Sequence, residues 1–288
     1  MAVRIGSHVS SAGGVAEALE RAQALGCQTL QVFTASPRQW RAPQLAPQAE
    51  ALGRRRRELG LRPLVVHANY LINLAGDNPE FHRRSLAAFR AELERAAAVG
   101  ADYLVLHPGS GDSGRLVASV REASAGFHWG GLELLLENMA GGETRLGGTF
   151  GRLAELIEGL AGLPVGACLD TCHAWVSGYD LVSAKGYAAA MRELQATVGL
   201  KRVRVVHAND AKAGRGSHLD RHAHVGAGQL GVVTFRRMLR DRRWAGRAFI
   251  VETPPAGQAA DLAELRRAAG QNRTRGKAVL GPAPTKAQ

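Results

Sequence analysis

Short apolar runs alternate along the chain with longer stretches in which apolar residues recur every three or four positions. The short runs lack the in-out alternation of a strand with one exposed face, so they indicate strands that are buried on both faces of a parallel sheet. The predicted strands cover residues 3–8, 29–33, 64–67, 103–107, 132–137, 165–170, 203–207 and 248–252.

The intervening stretches have the spacing of amphipathic helices. They are predicted at 15–25, 47–59, 79–99, 116–127, 150–160 and 184–198, with a last helix near 261–269. Several end in a glycine just before the next strand, a common helix stop signal, at Gly26, Gly60, Gly100 and Gly162. Eight strand–helix units predict an α/β fold, a single-domain (β/α)8 TIM barrel over residues 1–270. The pattern alone also permits an open doubly wound sheet.

Length and charge fit this interpretation. The 288 residues suit one barrel, for which about 250 residues are typical. The formal net charge of +12 indicates a polyanionic partner such as nucleic acid, but charge alone fits a compositional preference for arginine equally well. Residues 271–288 mix basic residues with Gly and Pro, which predicts a basic, disordered C-terminal tail.

The sequence contains no signal for export or membrane insertion. Three cysteines, Cys27, Cys168 and Cys172, form an odd set that argues against a disulfide framework. The first ten residues lack a basic region followed by an apolar run, and no apolar stretch is as long as a membrane span. We therefore expect a cytoplasmic, monomeric protein without membrane contact.

Seven of the eight predicted strands end on, or one residue from, a residue that can bind metal. These residues are His8, His67, His107, Glu137, Asp170, His207 and Glu252. In a barrel the C-terminal strand ends converge on the face that carries the chemistry. One such residue could simply cap a loop, but a ring made only of histidine and carboxylate indicates a metal centre.

Two nearby segments supply further candidate ligands. His173 follows the sixth strand closely, and the run 217–224 has a polar residue at every second position, at His218, Asp220, His222 and His224. An extended segment would place those four on one side, and spacing does not decide which of them bind metal. Cys168 lies inside a strand and is predicted to be a core residue, whereas Cys172 stays ambiguous.

The number and charge of the candidates indicate several ions and an anionic substrate. Imidazole and carboxylate ligands suit Zn²⁺, with Mn²⁺ or Fe²⁺ as substitutes. More than six candidates exceed the needs of one tetrahedral ion, so two or three ions are expected. Three divalent cations would outweigh the four carboxylates and leave a net positive pocket suited to a phosphodiester.

At these residues the sequence resembles the endonuclease IV (deoxyribonuclease IV) family of abasic-site nucleases. The motifs occur in family order from about Arg4 to Pro254 and are specific only when taken together. They are 5–14 (IGSHVSSAGG), 67–73 (HANYLIN), 107–110 (HPGS), 137–141 (ENMAG), 168–173 (CLDTCH), 207–212 (HANDAK), 220–222 (DRH) and 252–254 (ETP).

The resemblance implies a site for three zinc ions with Glu137 as the central catalytic residue. The first ion would be held by His67, His107 and Glu137, the second by Asp170, His207 and Glu252 with Glu137 bridging, and the third by His173, Asp220 and His222. His8 then has a role beside the ligands rather than as one. His218 and His224 become outer or DNA-facing residues.

The resemblance also implies the reaction and the substrate. A phosphodiester hydrolase of this family acts in base excision repair and cuts 5′ to an abasic site, leaving a 3′-hydroxyl and a 5′-deoxyribose phosphate. It also removes 3′-blocking groups. Arg38, Tyr70 and Leu71 would enter the base stack of double-stranded DNA, and an abasic nucleotide is extruded easily because it has little stacking to lose. The alternative is a metal-dependent sugar isomerase or epimerase on the same barrel.

Overall fold

Eight parallel strands close into a barrel in the computed structural model, which describes residues 2–41 and 48–271. The barrel strands are β1 (Arg4–His8), β2 (Thr29–Val32), β3 (Leu64–His67), β4 (Tyr103–Leu106), β5 (Glu133–Glu137), β6 (Val165–Asp170), β7 (Val203–His207) and β10 (Ala248–Val251). Two short strands between them are β8 (Asp210–Ala211) and β9 (His222–Ala223). Strands β8 and β9 form a separate antiparallel pair, and β10 pairs with β1 to close the barrel. The predicted TIM barrel is thus confirmed, with strand ends within one residue of expectation.

Helices cover the outside of the barrel. In the described part of the chain they are α1 (Val15–Ala24), α2 (Ala49–Leu59), α3 (Pro79–Ala98), α4 (Ser113–Ala123), α5 (Phe150–Gly159), α6 (Thr171–Val176), α7 (Ala184–Ala196), α8 (Gly231–Arg240) and α9 (Gln258–Ala269), with a 3-10 turn at Arg242–Trp244. Helix α4 begins three residues before the predicted start because Asp112 caps it by accepting the N–H of Arg115 at 2.7 Å. Helices α6 and α8 were not predicted.

Local sequence signals explain where the helices start and stop. Asn78 accepts the N–H groups of Glu80 and Phe81, both at 3.1 Å, and Pro79 follows at the first helical position of α3. Helix α2 ends at Gly60, whose φ of 70° lies in the left-handed region that favours glycine.

Two apolar layers hold the barrel together. The larger layer lies between the strands and the helices and contains most of the buried aliphatic residues. The smaller layer fills the barrel interior and consists of Val65, Val105, Leu135, Cys168, Val205, Ala248 and Ile250. Cys168 is therefore a core residue, as predicted, and all three cysteines are buried free thiols. This interior plug separates the two mouths of the barrel.

The predicted tail after Gln271 lies outside the described residues. Pro47, the first residue of one predicted helix, does so too. Among the helices that are described, none combines the length and the apolar character needed to cross a bilayer.

Candidate metal centre

The nine predicted ligands meet at the C-terminal mouth of the barrel, where six strands end. Their imidazole and carboxylate donors form three groups, and within each group one donor atom per residue lies within 4.8 Å of the others; the thiol of Cys168 lies as close to Glu137 and His207, and that of Cys172 to Asp170 and His222. The groups are His67, His107 and Glu137; Glu137, Asp170, His207 and Glu252; and His173, Asp220 and His222. Their grouping matches the sets implied by the family resemblance, while their roles as ligands stay a prediction.

Glu137 occupies the centre of the arrangement because it ends β5 and points into the mouth. Its Oε2 lies 3.5 Å from His67 Nε2 and 3.2 Å from His107 Nε2. Neither contact has the geometry of a hydrogen bond, so Oε2 is buried without a hydrogen-bond partner among the described residues. Its Oε1 lies 3.1 Å from His207 Nδ1. One carboxylate thus faces two groups of candidate ligands through different oxygens.

The second group forms around His207, which is fully buried at the end of β7. Its Nδ1 lies 3.2 Å from Glu252 Oε2 and 4.0 Å from Asp170 Oδ2. The three acidic groups of this set therefore converge on one imidazole nitrogen. Such a concentration of carboxylate charge in a buried site is costly unless cations balance it.

The third group lies closer to the solvent. Asp220 places Oδ2 at 3.1 Å from His173 Nε2 and Oδ1 at 3.2 Å from His222 Nε2. The same nitrogen of His222 is 3.7 Å from Asp170 Oδ2, which connects this group to the second. It has no hydrogen-bond partner among the described residues, although it is buried.

Three of the imidazoles are oriented by the nitrogen that faces away from the cluster. His67 and His173 use Nδ1 to donate to the carbonyl oxygens of Ala68 and Asn138, both at 2.8 Å. His207 uses Nε2 to donate to Gln31 Oε1 at 2.9 Å. A donor nitrogen held by a carbonyl leaves the lone pair of the other nitrogen directed into the site, which is the usual arrangement of metal-binding histidine.

Two amide side chains whose role was not predicted from the sequence fix the carboxylates. Gln31, from the one strand that lacked a candidate ligand, donates Nε2 to Glu252 Oε1 at 2.6 Å. Asn209 donates Nδ2 to Asp170 Oδ2 at 2.7 Å and to Glu252 Oε2 at 2.9 Å. The sequence signal for Gln31 was a glutamine inside a short strand predicted to be buried on both faces, since a buried polar side chain requires partners.

Burial and mutual charge shift the pKa values of several groups at the centre of the cluster. Burial opposes the charge of Glu137, but the positive charges of His207 and His107 outweigh burial and hold its pKa well below the usual value. Burial lowers the pKa of His207, but neighbouring negative groups such as Glu252 and Glu137 raise it well above the usual range. Burial dominates at Asp170, whose pKa is raised. Imidazole coordinates metal as the neutral base, so cation binding would release protons from this cluster.

Three nearby histidines lie outside the three groups. His8 lies 3.0 Å from Gln31 Nε2 through its Nδ1 and packs against Phe33 with ring centroids 4.4 Å apart. His218 bonds to the carbonyl of Ala140 at 3.0 Å, and His224 bonds to Asp261 at 2.8 Å.

The run 217–224 therefore does not present four residues on one side, because His218 has a φ of 57° and breaks the extended conformation. The thiol of Cys172 points at the carbonyl of Arg221, at 3.8 Å, and burial raises its pKa to about 12.

The three predicted DNA-binding residues lie on two adjoining loops at the rim. Tyr70 is 50% exposed, and its ring packs 5.3 Å from both Phe33 and His67, next to the first group of candidate ligands. Arg38 is exposed and Leu71 is half-buried. The two loops are joined because the N–H of Tyr70 donates to the carbonyl of Pro37 at 3.1 Å.

Asn69 joins the same loops through its side chain. It donates to the carbonyls of Ser36 and Gln39, at 3.2 and 2.6 Å, and accepts the N–H of Leu71 at 2.8 Å. Its amide therefore links the two loops through the two donated bonds, while the accepted bond lies within its own loop. A role for this residue was not predicted from the sequence.

A cavity of about 360 Å³ opens over the candidate ligands. It is lined by His67, Tyr70, His107, Met139, Arg145, His173, Asp220, His222 and Glu252. Arg145 is held by a backbone bridge to Ser110, and its side chain forms no hydrogen bond or ion pair within the described ranges. A second cavity of about 670 Å³ shares the walls Tyr70 and Glu252. Arg145 was not predicted as a site residue because nothing in its local pattern distinguishes it from a surface arginine.

The chain matches known proteins over nearly its whole length. Residues 19–269 match a family model described as a xylose isomerase-like TIM barrel. The probable endonuclease 4 of Solibacter usitatus (strain Ellin6076) is 44% identical over 282 residues, which cover 93% of this chain and 97% of the relative. The crystal structure of endonuclease IV from Thermus thermophilus is 41% identical, with a TM-score of 0.85 over 93% of this chain and 100% of that one. A D-tagatose 3-epimerase-like protein, 18% identical, shares the fold alone, with a TM-score of 0.67 over 93% of this chain and 97% of that one.

Proposed function

Because this chain belongs to the endonuclease IV family of phosphodiester hydrolases, we propose that it is a zinc-dependent nuclease that cuts DNA 5′ to abasic sites in base excision repair. We further propose that it leaves a 3′-hydroxyl and a 5′-deoxyribose phosphate and that it removes 3′-blocking groups. The observation that carries the proposal is the convergence of nine histidine and carboxylate side chains into three groups at one mouth of the barrel.

The donor set fits divalent metal ions. Glu137 Oε2 and His222 Nε2 are buried polar atoms that no hydrogen bond satisfies within the described residues. A cation is the partner that both atoms could share with their neighbours, because each faces further imidazole or carboxylate donors. Nitrogen and oxygen ligands without an obligatory thiolate suit zinc. We assign one ion to each of the three groups, with Glu137 common to two.

When bound, zinc lowers the pKa of a water molecule towards neutrality and offsets the negative charge that develops on the phosphodiester in the transition state of cleavage. The protein holds the ligands in place from outside. Asn209 fixes Asp170 and Glu252, and Gln31 fixes His207 and Glu252, so three of the proposed ligands and their two orienting amides form one connected network. Such outer contacts commonly decide metal affinity and activity by about 10- to 100-fold.

Two cationic groups would bring the DNA backbone to this centre. Arg145 lines the cavity over the ligands and has no acidic partner within the described residues, so its guanidinium is available to a phosphate oxygen. Arg38 stands on the rim beside Tyr70, where it would meet the duplex. The exposed ring of Tyr70, which packs against Phe33 and His67, would contact the nucleotides that flank the damage. Extrusion is easiest for a nucleotide that has no base.

A nicking assay with metal analysis tests the proposal. Protein purified without added metal should contain more than two zinc ions per chain and should cut a duplex with one abasic site, but not an undamaged duplex. Removal of metal with a chelator should abolish the cut, and zinc should restore it. A metal-free preparation that cuts at full rate would refute the proposed mechanism. The matched control is a set of ketohexoses, because conversion of a sugar without DNA cleavage would indicate the isomerase or epimerase alternative.

A further inference from the structure

A third cavity, which is polar, lies at the opposite, N-terminal mouth of the barrel. It has a volume of about 250 Å³ and is lined by the first residues of β1, β4 and β10, which are Arg4, Tyr103 and Ala248, and by loop residues that include Arg62 and Arg247. Arg204 of β7 completes the wall. The apolar plug of the barrel interior separates this cavity from the candidate metal centre.

The cavity is strongly cationic because Asp102 in its wall and the neighbouring Glu133 are already engaged. Asp102 accepts hydrogen bonds from the guanidinium of Arg56 and from the N–H of Leu64. Glu133 binds Arg204 through both oxygens, at 3.1 and 2.9 Å from Nε. Within the described residues, the guanidinium groups of Arg4, Arg62 and Arg247 have no carboxylate partner. Three uncompensated cations therefore face one small space.

Arg247 is the least satisfied of the three. Its Nε is buried without a hydrogen-bond partner in the part of the chain that the structure describes. Its terminal nitrogen reaches only the carbonyls of Leu200 and Lys201, at 3.4 and 3.5 Å, which are long contacts. Burial, and then the charge of Arg204, lower the pKa of Arg247. A partly desolvated guanidinium beside another cation is an unfavourable arrangement that a bound anion would relieve.

We infer that this mouth is a binding site for a phosphate-class oxyanion, distinct from the candidate metal centre and independent of its chemistry. Guanidinium forks bind tetrahedral oxyanions through paired N–H groups, and the cavity presents several such forks at once. Tyr103 is the only aromatic residue among the described residues of the wall, which therefore offer no pair of aromatic faces between which a nucleobase could stack. The ligand is recognised by its phosphate, carried either by free inorganic phosphate or by the backbone of a nucleic acid.

The test uses the full-length, metal-loaded protein and measures thermal stability in sodium phosphate and in sodium chloride of equal ionic strength. Phosphate should stabilise the wild type and also Arg152→Met, in which an exposed arginine on α5 is replaced. Arg247→Met and Arg4→Met should bind phosphate about tenfold more weakly or worse, since each loses a charge-assisted contact. Phosphate bound at the metal centre contributes equally to all four proteins and cancels in the comparison.

The stability in chloride distinguishes a ligand-binding role from a structural one. If Arg247 serves a ligand, Arg247→Met should be at least as stable as the wild type in chloride, because a half-buried cation without a carboxylate partner is removed. A lower stability in chloride, or a phosphate response equal to that of Arg152→Met, overturns the inference. If Arg247→Met fails to fold, the phosphate response of Arg4→Met decides in the same way.

A second measurement identifies the source of the phosphate. Binding of an undamaged duplex is followed as a function of salt for the wild type and the same variants. A salt slope smaller by about one for Arg247→Met indicates that a DNA phosphate reaches the site. An unchanged slope together with a lost phosphate response indicates free phosphate. No change in either measurement overturns the inference.

Discussion

Asn69 gives the sharpest test of how the rim of the barrel recognises DNA. Its side chain, only 7% exposed, joins the loop that carries Arg38 to the loop that carries Tyr70 and Leu71. In Asn69→Ala both donated bonds and the accepted bond are lost, and the carbonyls of Ser36 and Gln39 lose a buried partner. We predict that the two loops separate without loss of the fold.

The magnitude follows from the number of bonds. A hydrogen bond contributes about 1 kcal/mol net, so the two donated bonds that run between the loops contribute roughly 2 kcal/mol to the joined arrangement, whereas the bond accepted from Leu71 lies within one loop. That loss reduces the joined population relative to the open one by roughly 30-fold. DNA binding favours the joined arrangement and restores part of this population. We therefore expect incision at an internal abasic site to slow by about 10- to 100-fold.

The assay is single-turnover cleavage of two substrates by the same protein. One carries an internal abasic site, which must be extruded from continuous duplex, and the other carries a 3′-phosphate at a nick, which needs little unstacking. Asn69→Ala should be impaired mainly on the first, with unchanged zinc content. The control Asn69→Asp keeps the acceptor for Leu71 but cannot donate to Ser36 and Gln39, so it should be similarly impaired. Wild-type rates for Asn69→Asp, or equal losses on both substrates, would refute the reasoning.

Four further predictions concern the site and the tail. Glu137→Gln should lower cleavage by several powers of ten while DNA affinity changes little, and a rate within about tenfold of wild type would exclude a shared role between two ions. Replacing Arg38 and Tyr70 together with alanine should slow internal incision at least about tenfold more than removal of a 3′-phosphate, whereas equal losses would assign the pair to the rim structure. Arg145→Ala should weaken binding of abasic duplex by the chelated, metal-free protein and reduce the salt slope by about one, which an arginine that does not contact phosphate would not do. Truncation after Gln271 should flatten the salt dependence of DNA binding and leave the cleavage rate unchanged, and an unchanged slope would mean that the tail does not contact DNA.

The sequence by itself determined eight strand–helix units and the chemical character of the strand ends, whereas only the structure showed that the sheet closes into a barrel. Periodicity is a local property, so apolar runs and amphipathic stretches located the eight barrel strands within one residue of their observed ends, but not the short pair β8 and β9. Parallel strands in a barrel all point the same way, so residues that end them, such as His67 and Glu137, must meet at the same face. The composition of those strand ends, histidine and carboxylate, was sufficient to predict a metal centre, and the order of the motifs was sufficient to indicate the family.

Only the tertiary structure decided which side chains support that centre. Gln31 and Asn209 are amides whose partners lie far away in sequence, so no local pattern shows that they orient His207, Asp170 and Glu252. The left-handed backbone at His218 is likewise invisible in a run that alternates regularly.

The same holds for contacts between loops and between strand starts. Asn69 links two loops through backbone carbonyl groups, which every residue has, so the sequence does not show that they are its partners. Arg4 and Arg247 face one cavity because a closed barrel brings the beginnings of distant strands together. Spacing along a chain sets the direction of a side chain within its own element. Hydrogen bonds and charge balance between elements depend on distances that exist only after the barrel has closed.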